Sequence, residues 1–220
     1  MSGSAALSPE IHKQWSDQTG QVLLERYGMT EIGMALSNPL KGERKPGCVG
    51  QPLPEVEICL MEDNKIINAE GEAGEIMIKG PQVFLEYWNQ EEVTKDSFFK
   101  GWFKTGDIAE LIDGYYRILG RESVDIIKTG GYKISALEIE DALIKHPLIK
   151  ECAVVGKKDK KWGEVVATAI VTDQKKLSLN EIQNWSLKLL SEYKIPRKLK
   201  VIKKLPKNTC LLYTSAAADE

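Results

Sequence analysis

The strongest local signal in this 220-residue chain is a β-hairpin: Ile108–Leu111, the dipeptide Asp113-Gly114, then Tyr115–Leu119. Asp-Gly between two apolar runs selects a type I′ turn, because both central residues then adopt positive φ at low cost. Upstream, from about Lys41, the chain keeps the same texture of short runs punctuated by Gly and Pro. Val56–Met61, Lys65–Asn68 and Gly74–Lys79 alternate, with a turn at Gly71. These spacings predict an antiparallel sheet or small barrel. Before them, Pro9–Gln18 reads as a helix and Gln21–Arg26 as a short buried strand leading into a turn at Tyr27-Gly28, while Val93–Phe98 reads as a short helix.

Past Gly120-Arg121 the pattern changes. Ser135 with Glu138 resembles a capping box, and Leu137, Ile139, Ala142, Leu143 and Ile144 give one helix an apolar face up to His146-Pro147. Glu151–Gly156 and Glu164–Thr172 read as buried strands, Ser178 with Glu181 opens a second helix running to about Tyr193, and Val201-Ile202 is a last strand. The fold class expected is α+β: a β-rich unit followed by a small α+β unit, with the joint near Arg121–Asp125.

Composition excludes more than it assigns. Thirty Lys and Arg stand against 32 Asp and Glu, so the basic excess of a nucleic-acid binder is missing. No apolar stretch is long enough for a membrane span, and residues 1–10 have no secretory-signal pattern. Cys48, Cys59, Cys152 and Cys210 lack metal-ligand spacing, and His12 and His146 are far apart in sequence.

Three segments carry candidate chemistry. Tyr27-Gly28-Met29-Thr30-Glu31 offers an aromatic face for a base, a hydroxyl for a phosphate oxygen and a carboxylate for Mg²⁺; the plain alternative is a solvated turn. Trp102–Asp107 (WFKTGD) sets Asp107 to accept two hydrogen bonds from a ribose diol, or to close an Asx-turn at a strand start. Gly120-Arg121 and Lys128–Lys133 hold paired glycines, which permit close backbone approach to a ligand but also serve an ordinary turn.

In order and spacing, YGMTE, WFKTGD and GRESVDIIKTGGYKISALEIE resemble the adenylate-forming superfamily of acyl-CoA synthetases, luciferases and peptide-synthetase adenylation domains. ERYGMTEIGMALSNPL and GCVGQPLPEVE resemble its malonyl-CoA synthetases. The resemblance implies an ATP-dependent carboxylate–CoA ligase acting through an acyl-adenylate, with ATP, Mg²⁺ and CoA as small-molecule partners. It implies that residues 1–121 are the C-terminal portion of a large AMP-binding domain, 122–208 a small mobile domain, and 209–220 a tail without family likeness. Ser4, Ala5 and Ala6 would line the adenine and acyl pocket, Tyr27 and Gly28 the adenine, and Thr30 the phosphate; Glu31 would hold Mg²⁺. Asp107 and Arg121 would take the ribose, and Gly130, Gly131 and Tyr132 the pantetheine tunnel, with a hinge among Ser123, Val124 and Asp125.

Two departures stand beside these matches. The superfamily's Ser/Thr/Gly-rich phosphate loop is not in this sequence, and after Leu205-Pro206-Lys207-Asn208 the expected Gly-Lys is replaced, with Leu212 at the lysine position and Lys207 not its equivalent. The expectation is therefore a fragment of a larger ligase, weak or inactive alone. Arg44 is either the cation for a distal substrate carboxylate or an exposed loop arginine. The rival readings are a medium-chain or aryl acyl-CoA synthetase, and a non-catalytic fragment that binds nucleotide or CoA. An animal-like member would be mitochondrial, with any transit peptide before Met1; otherwise the expectation is cytoplasmic.

Overall fold

The structure, a computed structural model, describes residues 1–67, 69–173 and 177–206. Two compact units divide it, Met1–Ile118 and a second beginning at Leu119. In the first unit, helix α1 (Pro9–Thr19) starts at the Ser8 cap, with Pro at its first position, and stops at Gly20 in the left-handed conformation. Strand β1 (Arg26–Met29) pairs antiparallel with β2 (Gly33–Ser37), which pairs with β3 (Gln51–Pro52).

The expected strand at Gln21–Arg26 is corrected here: β1 lies later, and Tyr27-Gly28 are strand residues instead of a turn. A bulge between them explains the shift, since Tyr27 pairs with Leu36 but Gly28 with Met34. A Cβ on Gly28 would stand 2.1 Å from the Gly33 carbonyl oxygen, so the glycine that reads as a turn marker is there for strand contact.

The main sheet of this unit contains β4 (Glu57–Glu62), β5 (Lys65–Ile67), β6 (Ala73–Lys79), β7 (Phe98–Phe99) and β8 (Trp102–Ile112), in the order β5-β4-β6-β8-β7, with β9 (Tyr115–Arg121) beside β8. Asp113 (φ 47°) and Gly114 (φ 77°) make the β8–β9 connection with both residues at positive φ, as the hairpin signal predicts. Between β6 and β8, helix α2 (Glu91–Asp96) starts and ends two residues before the expected positions. Ile32, Ile76, Ile78 and Phe103 form the buried centre of this unit.

The second unit has β10 (Ile126–Thr129), β11 (Tyr132–Ser135), β12 (Glu151–Asp159), β13 (Gly163–Val171) and β14 (Lys198–Ile202) in one sheet; β14 is parallel to β13 and the other pairs are antiparallel. Helices α3 (Ala136–Leu143) and α4 (Leu179–Ser186) contribute Ile139, Leu143 and Ile182 to a core with Ile127, Ile134 and Ile170. Ser135 caps α3 by accepting from the Glu138 amide; the Glu138 carboxylate bonds Lys194 Nζ at 2.6 Å. The reciprocal capping box belongs to Ser178 and Glu181. Helix α4 is shorter than its apolar pattern predicts: the chain leaves it at Leu187 and forms only a 3₁₀ turn at Glu192–Lys194. Asn68 and residues 207–220, which include Lys207, Cys210, Leu212 and the tail, lie outside the described residues.

The two glycine types separate on substitution. Gly28→Ala must push against backbone and is expected to cost about 3 kcal/mol. Gly114→Ala, whose new methyl meets nothing closer than Gln51 Nε2 at 3.8 Å, should cost about 1–2 kcal/mol for its left-handed backbone alone. Urea unfolding of both variants checks the order; equal losses would remove the strand-contact explanation.

Candidate active site

The first unit brings several of the sequence-predicted residues together. Ser2 forms a parallel bridge with Glu25, through Ser2 N–H to Leu24 O at 2.9 Å and Arg26 N–H to Ser2 O at 3.1 Å. This ties the exposed Ser4, Ala5 and Ala6 to the start of β1. One residue further, the half-buried Tyr27 donates its phenol proton to Asp107 Oδ2 at 2.7 Å across eighty residues of sequence.

Asp107 is aimed by a bulge. Along β6–β8, Glu75 pairs with Ile108 and Met77 with Lys104, so Ile76 alone faces Thr105, Gly106 and Asp107. Three bonds fix the extra residues: Thr105 Oγ1 donates to Ile76 O (2.9 Å), the Asp107 amide donates to Thr105 Oγ1 (3.1 Å), and the Gly106 amide donates to Glu75 Oε1 (2.9 Å). Gly106 takes φ 73°, which only glycine adopts at no cost. Asp107 is buried, so a ligand bonding it would meet little competition from water.

Thr30 and Glu31 lie on the turn after β1, Thr30 exposed and Glu31 half-buried. Tyr87 donates its hydroxyl to Glu31 Oε1 at 2.9 Å, and the Phe84 amide donates to Glu31 O at 2.8 Å. No group of three or more metal-ligating side chains exists among the described residues. A single carboxylate beside a hydroxyl fits Mg²⁺, which keeps most of its waters and binds through one or two carboxylates together with phosphate oxygens.

Arg44 is engaged elsewhere. Its Nε, Nη1 and Nη2 donate to the carbonyls of Pro39 (3.1 Å), Val22 (2.6 Å) and Leu40 (2.9 Å), clamping the loop after β2. Arg121, the turn with Ser123, Val124 and Asp125, and the Gly130–Tyr132 hairpin belong to the second unit. There the Arg121 amide donates to Asp125 Oδ2 at 2.8 Å, and Gly130 (φ 57°) and Gly131 (φ 87°) form a two-residue turn. Tyr132 stacks on Tyr193 with ring centroids 4.7 Å apart.

Sequence reasoning missed Glu75 and Tyr87. A carboxylate inside the alternating GEIMIK run was the one available sign of Glu75; nothing in spacing links Tyr87 to Glu31. It also missed a buried polar node behind β1. His12 Nε2 lies 3.2 Å from Leu23 O and 3.9 Å from Glu25 Oε1, while Glu25 Oε1 accepts from the Gly47 amide at 3.0 Å. Asn38 Nδ2 donates to Glu25 O and Cys48 O.

The sequence profile of AMP-binding enzymes matches residues 1–88, and that of the AMP-binding enzyme C-terminal domain matches residues 138–210. The chain belongs to the AMP-binding enzyme family. The mitochondrial malonate–CoA ligase of Bos taurus is 47% identical over 94% of the chain and 39% of its own length. The malonate–CoA ligase of Arabidopsis thaliana is 48% identical over 94% of the chain and 36% of its own length. Among solved structures, ATP-bound MatB from Rhodopseudomonas palustris superposes with a TM-score of 0.90 at 37% identity, over 98% of this chain and 44% of that one. The chain thus spans less than half the length of these relatives.

Burial pushes the Glu25 carboxyl up to about 7, opposed by the Gly47 amide. A folded-state value above the ordinary 4.5 means the folded chain holds a proton that the unfolded chain releases. This contribution to stability is therefore full below about pH 4.5 and is lost as pH rises through about 7. Glu25→Gln keeps the acceptor oxygen without the charge. The melting-temperature difference between Glu25→Gln and the unaltered chain should grow from pH 4.5 to 7 and level off above; a flat difference would contradict the assignment.

Proposed function

We propose that the chain supplies part of the nucleotide-binding face and the small C-terminal domain of an AMP-forming carboxylate–CoA ligase acting on malonate or methylmalonate. The observation that carries this reading is the Tyr27–Asp107 hydrogen bond, which presents an aromatic ring and a buried carboxylate together one turn from Glu31. The malonate–CoA ligase relatives support the choice of acid.

In this reading the Asp107 carboxylate accepts two hydrogen bonds from the ribose diol, its aim fixed by the bulge and by the Tyr27 phenol. The Tyr27 ring lies against adenine beside Gly28, with Ser4, Ala5 and Ala6 on the adjoining wall. Thr30 donates its hydroxyl to the phosphate, and Glu31 holds the Mg²⁺ of the ATP complex, a charge that offsets the negative charge gathered at phosphorus during adenylation. Arg121 adds a second ribose contact, and Gly130, Gly131 and Tyr132 line the pantetheine path for CoA. Residues 122–208 act as the mobile domain, hinged among Ser123, Val124 and Asp125; rotation there would break the Arg121–Asp125 bond. A mitochondrial location, as the names of the animal relatives state for those proteins, is part of the proposal.

Two experiments test it. AMP titrated into the chain by isotope-edited NMR should shift the Tyr27 and Asp107 resonances, and Asp107→Ala should weaken binding roughly tenfold or more. No saturable shift would remove the nucleotide reading. Residues 1–206 placed in the Arabidopsis thaliana malonate–CoA ligase, with that enzyme's remaining segments, should release pyrophosphate with malonate in preference to octanoate or benzoate; the reverse preference favours a medium-chain or aryl acyl-CoA synthetase. In the same chimera Arg44→Ala is expected to impair malonate and acetate alike, because its guanidinium clamps a loop. A rise in KM confined to malonate would instead assign it to the substrate's distal carboxylate.

A further inference from the structure

We infer that Tyr87 is a positioning residue for the Glu31 carboxylate, holding it in the orientation that receives the metal ion accompanying the nucleotide phosphates. The inference rests on the proposed role of Glu31 and extends it to a residue 56 positions away. Both ends of Glu31 are gripped by one loop: the Phe84 amide takes its carbonyl oxygen, and the Tyr87 hydroxyl takes Oε1. A carboxylate held at one oxygen leaves the other to the ion, and a neutral phenol donor keeps the carboxylate's full charge available for it.

The loop in turn is fixed to the core through rings. Phe84 packs on Tyr87 (centroids 4.7 Å), Phe98 (5.8 Å) and Phe103 (5.3 Å), and Phe103 is only 3% exposed. The Tyr87 amide donates to Thr94 Oγ1 at 2.9 Å, which ties the same residue to α2. Order therefore passes from the buried Phe103 through Phe84 to the Tyr87 ring, and from its hydroxyl to Glu31. Aromatic packing alone would be served by phenylalanine; the hydroxyl of Tyr87 is what bonds Glu31.

The test uses the whole chain with Mn²⁺ as the probe ion. Tyr87→Phe keeps the ring and removes the donor. It should weaken Mn²⁺·ATP binding roughly tenfold while leaving metal-free AMP binding unchanged, and Glu31→Gln should weaken Mn²⁺·ATP at least as much. Equal Mn²⁺·ATP affinity in Tyr87→Phe and the unaltered chain overturns the inference, as does an unaffected Glu31→Gln. Failure of AMP to bind the unaltered chain strikes the nucleotide reading alone, because a second measurement needs neither nucleotide nor the Tyr87 variant. In chain labelled with ¹³C-tyrosine, Mn²⁺ by itself should broaden the Tyr87 ring resonance, and Glu31→Gln should abolish that broadening. A Tyr87 resonance that ignores Mn²⁺ overturns the inference.

Discussion

The hydrogen bond from the Tyr27 phenol to Asp107 joins β1 to the bulge of β8 and ties the aromatic side of the candidate site to its acidic side. Its geometry depends on two departures from regular sheet. One is the register shift at Tyr27/Gly28, at the residue whose phenol reaches Asp107. The other is the Thr105–Asp107 excursion opposite Ile76, held by Glu75 and by the Thr105 hydroxyl. An unbulged β8 would continue the two-residue alternation through position 107, and the carboxylate would be set by the pleat instead of by the bulge. Bulges recur beside functional sites for this reason.

Burial at the same site is managed in two ways. Around Glu31 the support is aromatic, four rings whose packing needs no hydrogen bond and which deliver one phenol to a carboxylate. Behind β1 it is polar: Glu25 is 5% exposed, and its carbonyl and carboxylate are bonded by Asn38 and Gly47. Burial pushes that acid up, so the segment that carries Tyr27 is anchored by a carboxyl that the fold favours in its protonated form. The loop arginine Arg44 belongs to the same anchoring layer through its three carbonyl contacts.

Much of the fold was legible because its signals are local. Asp113-Gly114 between alternating strands, Pro9 at the start of α1, and the Ser178–Glu181 opening of α4 each act over a few residues, and the structure has them where the sequence puts them, although the reciprocal box expected at Ser135 and Glu138 is found at Ser178 and Glu181. What misled was Gly28, a glycine demanded by contact with Gly33 across the strand pair, which looks in one dimension like any turn glycine. Site residues inside motifs were visible as residue types. Their supports were not: Glu75 and Tyr87 reach Gly106 and Glu31 across 31 and 56 positions, and no periodicity records such a pairing. Helix α4 fell short of its apolar pattern because the apolar residues after Leu187 are carried by turns instead of by further helix.

Whether Tyr27 and Asp107 act on the nucleotide as one unit is decided by a double-mutant cycle read as AMP affinity. Tyr27→Phe, Asp107→Asn and the double variant are compared with the unaltered chain. Coupling through the 2.7 Å bond predicts that the double variant loses little more than Asp107→Asn alone, a coupling of about 1 kcal/mol or more. Losses that simply add would contradict it.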